Sequence, residues 1–78
     1  MGTITISNSR QATISVMVSS LNLEDNNAGK DDSYVDIDAG DKKDWNRGHM
    51  EIAFVYLHDA RETRAMVVIP DSQKYNIT

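Results

Sequence analysis

Residues 50–69 read MEIAFVYLHDARETRAMVVI, and the period of that stretch decides the fold. Successive side chains of a strand point to opposite faces of its sheet. In the segment Met50 to His58, Ile52, Phe54 and Tyr56 therefore share one face, and Ala53, Val55 and Leu57 share the other. Apolar side chains on both faces mark a central strand, or one covered on its outer side. Asp59-Ala60-Arg61-Glu62 is a short connection. Thr63 to Ile69 forms another strand until Pro70, which has no N–H for a ladder, stops it.

The same period runs outward in both directions. Thr3 to Ser7 alternates strictly, with Ile4 and Ile6 on one face; Gln11 to Ser19 places Ala12, Ile14, Val16 and Val18 together. Asn8-Ser9-Arg10 between them has turn chemistry, so the two segments read as a hairpin. Leu21 to Asp32 has no period and is rich in Asn, Asp and Gly, which predicts a long loop. Tyr34 to Asp38 alternates, Ala39-Gly40 turns, and Asp41 to Arg47 is a charged strand near an edge, where lysines discourage pairing with other chains. Gly48 breaks the chain, and Gln73 to Ile77 adds a last strand with Tyr75 and Ile77 in phase. No window holds a 3.6-residue period. Seven short strands at this spacing predict an all-β fold: a single small antiparallel β-sandwich over residues 1–78, Greek-key or immunoglobulin-like. Parallel pairing needs long crossovers, for which there is no room.

Composition narrows the function. The 78 residues suffice for one small domain, and a domain of about this size buries only about 60% of its unfolded surface. There is no cysteine, which removes disulfides, thiolate metal sites and cysteine nucleophiles. The opening MGTITISNSR lacks the basic-then-apolar order of a signal peptide. The expectation is a cytoplasmic protein, or one secreted by a route without such a peptide. No apolar run is long enough to span a bilayer. The net charge is −4, and eight of the twelve acidic residues lie between Glu24 and Asp44. That field opposes a phosphate backbone, so nucleic acid is not an expected partner.

The order of features resembles a group of small single-domain β-sandwich proteins of mushroom-forming fungi. The resemblance is carried by ITISNSRQATISVMVSS, then YVDIDAGDKKDWNR, MEIAFVY and TRAMVVIP. Its steps fall on Ser19, Ile37, Gly40, Trp45 with Arg47, residues 51–56, and residues 68–70. The resemblance implies the sandwich fold and carries no catalytic residue with it.

No pattern of catalytic chemistry stands out. There is no G-x-S-x-G nucleophile elbow, and a chain this short encloses little volume for a substrate. A calcium loop begun at Asp36 fails, with Gly40 at its fifth position and Arg47 at its twelfth. A looser calcium site in the acidic 24–44 segment is a weaker alternative. His49 and His58 lie at opposite ends of one strand and read as surface histidines. Asn76-Ile77-Thr78 matches a glycosylation sequon by chance. The expectation is a non-enzymatic binding module with no cofactor and no metal.

Two partner classes follow. A lectin-like glycan binder, of fruiting-body or defence type, would use Trp45 as a stacking platform with Arg47, Tyr34 and Asp44 beside it. The other reading of Trp45 is a plug at the edge of the sandwich. The alternative function is a structural or protein-interaction domain. Ala53, Val55 and Leu57, with Met66 and Val68, form a second apolar face, which another layer or a second subunit must cover. A homodimer is the simplest such assembly.

Overall fold

The computed structural model describes residues 2–20 and 33–78. The loop expected over residues 21–32 lies outside them. Seven strands follow in order: β1 (Gly2–Asn8), β2 (Ile14–Val18), β3 (Val35–Ile37), β4 (Lys42–Arg47), β5 (Glu51–Leu57), β6 (Glu62–Val68) and β7 (Tyr75–Ile77). They form a three-stranded sheet in the order β4-β1-β7 and a four-stranded sheet in the order β3-β2-β5-β6. Every strand read from the period of the sequence is present, and the fold is a β-sandwich.

The connections differ from expectation in two places. β1 and β2 do not form a hairpin. β1 pairs with β4 and β7, while β2 pairs with β3 and β5. Both strands are apolar on one face only, so each can face the other across a core as well as lie beside it in a sheet. The turn chemistry of residues 8–10 therefore serves a crossing between layers. The second difference is that β1 and β7 run parallel, with Ile6 opposite Tyr75 and Asn8 opposite Ile77. The crossover that parallel strands need is here supplied by the intervening domain.

The core lies where the inner faces meet. Ile4 and Ile6 of β1, Ile14, Val16 and Val18 of β2, and Ala53, Val55 and Leu57 of β5 are all fully buried. Full burial of an Ile, Val or Leu side chain contributes about 1.5–3 kcal/mol each relative to exposure, so these rows hold the layers together. The face assignment of β5 is corrected by this packing. Ala53, Val55 and Leu57, with Val68, belong to the core itself. The outer face is the other one, where Ile52, Phe54 and Tyr56 are partly buried.

Two turns fix the layers. Asp41 N–H donates to the Asp38 carbonyl at 3.0 Å, and Gly40 has φ 82°. That is the type II turn, whose third position requires the positive φ that glycine adopts without strain. At the other end, Asp71 N–H donates to the Thr3 carbonyl and Thr3 N–H donates to Asp71 Oδ1, at 2.9 and 3.0 Å. This pair seats the β6–β7 connection on the start of β1. A Cβ at Gly2 would lie 2.6 Å from both Asp71 Oδ2 and Pro70 Cβ, so the approach needs glycine there.

Candidate functional site

Along β4, burial falls on Trp45 and Arg47. Period two puts both on the inner face, and both enter the sandwich. Trp45 is 3% exposed and part of the core cluster, and Arg47 is 0% exposed. Neither presents a surface to solvent, so Trp45 is the plug and not the platform. Arg47 reaches across the layers. Its Nε donates to the Ser19 carbonyl at 2.8 Å, its Nη2 to the Val18 carbonyl at 2.9 Å, and its Nη1 to the Asn46 carbonyl at 2.7 Å. Ser19 Oγ in turn donates to Glu51 Oε1 at 2.5 Å and accepts from Ile52 N–H at 3.0 Å. A guanidinium and a carboxylate thus close one end of the core around a shared serine.

Asp44 is exposed on the outer side of the three-stranded sheet and accepts from Thr5 Oγ1 at 2.7 Å. A depression of about 440 Å³ lies on the same side, against Thr3, Thr5, Lys42 and residues 71–74. Its charges are of both signs, and Asp71 there is committed to Thr3.

Tyr34 is different. It is 51% exposed and stands just before β3, on the outer face of the four-stranded sheet. The register sets that face out in rows. Asp36 lies opposite Ser15, Ser15 opposite Tyr56, and Tyr56 opposite Thr63. The next row carries Met17, Phe54 and Ala65, and the next Ile52 and Val67. One end of the face is therefore polar and aromatic, and the other apolar. A shallow depression of about 270 Å³ opens at the polar end, lined by Ser15, Tyr34, Tyr56 and Thr63.

The polar row is wired together. Ser15 Oγ donates to Asp36 Oδ1 at 2.7 Å and lies 2.7 Å from His58 Nε2. A hydroxyl has one proton. Once it goes to Asp36, the proton bridging Ser15 and His58 must sit on Nε2. The His58 ring also meets Tyr56 edge to face, with centroids 4.9 Å apart at 81°. A nucleophilic serine needs the reverse order, with the imidazole taking the hydroxyl proton and the acid behind the imidazole. Here the acid sits on the serine. The array suits a fixed binding surface rather than a proton relay.

Of the four residues read from the sequence as ligand contacts, only Tyr34 lies on this face. Ser15, Asp36, Tyr56, His58 and Thr63 were not among them. Tyr56 and His58 share a face by period two, which is visible in the sequence. Their meeting with Ser15 and Asp36 depends on the register between strands, which is not. Among the described residues no three carboxylates, imidazoles or thiols gather as a metal site; residues 24–32 of the acidic segment expected as a looser calcium site lie outside them. No helix among the described residues is long and apolar enough to cross a membrane.

Neither a family model, a curated protein nor a solved structure matches this chain. The resemblance to the fungal sandwich proteins rests on the sequence pattern alone.

Proposed function

We propose that the domain is a non-enzymatic association module that pairs with a second copy of itself through the outer face of the four-stranded sheet. The observation that carries this reading is the double apolarity of β5. Its inner face builds the core, and its outer residues Ile52 and Phe54 add to Met17 and Val67 as a continuous apolar patch. Val67 is 50% exposed, and Met17, Ile52 and Phe54 are partly buried. Patches of this kind mark interaction sites, and a two-fold axis through the face brings the same rows together from both subunits. A domain with so small a core also gains most from burying more.

The test is solution mass across concentrations from micromolar to millimolar. Self-association gives a rising mass and a melting temperature that climbs with concentration; Val67→Lys abolishes both while the monomer stays folded, because the side chain is half exposed. A mass fixed at the monomer throughout, for the unaltered chain, refutes the reading.

A further inference from the structure

We propose that the polar end of the same sheet face is a binding site for one ring of a neutral saccharide. It rests on the tyrosine-lined depression and its hydrogen-bond array, not on self-association. A sugar ring has a C–H face and a rim of hydroxyls. The site offers one partner to each. Tyr34 and Tyr56 supply aromatic surface on opposite sides of Ser15, Ser15 and Thr63 supply oxygens in the lining, and Asp36 stands next to it, bonded to Ser15. The depression of about 270 Å³ lies just below the range of about 300–1,000 Å³ that takes drug-sized ligands, which fits a single ring seated shallowly.

Preorganisation favours the site. Free side chains must be ordered on binding, which costs about 0.5–1.5 kcal/mol for each rotamer-rich group. Here the chain Tyr56–His58–Ser15–Asp36 is already held by a ring contact and two hydrogen bonds of 2.7 Å. Ser15 gives its proton to Asp36, so the carboxylate keeps its second oxygen for hydroxyl donors of a ligand. Charge sets the ligand class. Asp36 and the neighbouring Asp38, which accepts from Thr13 Oγ1 at 3.2 Å, repel phosphates, sulfates and acidic sugars. The Thr63 hydroxyl, which can donate, favours a neutral polyol over a bare cation, which needs no donor.

The experiment is amide-shift NMR on the labelled protein, titrated separately with methyl mannoside, methyl galactoside, methyl glucoside and choline. The expected result is saturable shifts at Ser15, Asp36, Tyr56 and Thr63 with at least one glycoside. Tyr34→Ala should weaken that binding by about tenfold or more, the loss of roughly one stacking contact, and Asp36→Asn should weaken it also. Both residues are exposed, so both variants should keep the wild-type fold, which the same spectra report. Repeating the titration on Val67→Lys separates the two proposals, since sugar binding should survive loss of the apolar contact. Shifts with choline alone, shifts confined to the depression near Thr3 and Lys42, or no saturable shift with any glycoside each overturn the proposal.

Discussion

The two ends of the sandwich are each closed by a buried polar side chain, and the two are of opposite kinds. At one end Asn8, 1% exposed, is neutral. Its Nδ2 donates to the carbonyls of Ala12 and Ile37 at 2.8 and 2.9 Å, and its Oδ1 accepts from Arg10 N–H at 2.9 Å. It thereby ties β1 to the crossing that follows it and to β3 in the other layer. At the far end Arg47 does the same task with a charge, tying β4 to the last carbonyls of β2. An amide loses little on leaving water if its bonds are replaced, whereas a buried ion needs strong acceptors at each of its donors. That is why the carbonyls of Val18, Ser19 and Asn46 all turn to Arg47, while Asn8 needs only amide-strength bonds. The charged closure should be the more fragile of the two.

The comparison breaks most visibly at the charged end. A chain of this length is stable by about 4–12 kcal/mol. Arg47→Met leaves the buried carbonyls of Val18 and Ser19 without their charged donor, and at about 1–3 kcal/mol for each group that water cannot reach the pair costs roughly 3–5 kcal/mol. Denaturant unfolding should show a loss of that size, or no folded protein at all. A loss under about 1 kcal/mol would mean water replaces the guanidinium, and the closure is not structural. Trp45→Ala, two residues away, should cost about 3–5 kcal/mol through the cavity it leaves. An unchanged unfolding midpoint would return Trp45 to the surface.

Asn8→Leu is the matching cut at the neutral end. It strands two carbonyls and one N–H and should cost about 2–3 kcal/mol, at about 1–3 kcal/mol for each group that water cannot reach. If it costs as much as Arg47→Met, charge is not what separates the ends. A smaller effect of opposite sign is expected beside Arg47. Ser20 is 1% exposed, and its hydroxyl has no hydrogen-bond partner among the described residues. Ser20→Ala should therefore leave stability unchanged or raise it by up to about 1 kcal/mol, and a clear loss would reveal a partner for that hydroxyl.

The smallest effect lies outside the neutral end. Arg10, whose N–H Asn8 accepts, also donates from Nη2 to both carboxylate oxygens of exposed Asp59, each at 2.9 Å. That hydrogen bond is the main cause holding the Asp59 carboxyl below its usual value of 3.8. A group with a depressed folded pKa stabilises the fold above its unfolded pKa, and that contribution disappears as pH falls through the folded one. Wild type should therefore exceed Asp59→Asn slightly in melting temperature at neutral pH, and the gap should close in acid below pH 3.8. A gap that persists in acid would assign the difference to packing rather than to charge.

The strands were legible in the sequence because alternation is local. The layers were not. Thr3 to Ser7 and Gln11 to Ser19 carry one apolar face each, which a hairpin and a crossing satisfy equally well. Residues 52–57 are apolar on both sides, so period two could not say which side is the core. Burial of Trp45 was legible as one of two readings. Arg47 follows it inward by the same period, but a charge at an inward position reads as surface until its carbonyl partners are known. The tyrosine depression was half legible through Tyr34. Its remaining residues come from three other strands, and only their register brings them together.

The parallel pairing of β1 with β7 also governs how the protein is made. Every contact of the three-stranded sheet joins segments far apart in the chain, so each closes a long loop before it returns any stabilisation. The β5–β6 hairpin can zip up locally, but Ile4 and Ile6 emerge early and stay uncovered until Trp45, and then Tyr75, arrive. Folding is thus late and concerted rather than progressive, and the time between synthesis and closure is when the chain most needs protection from its neighbours.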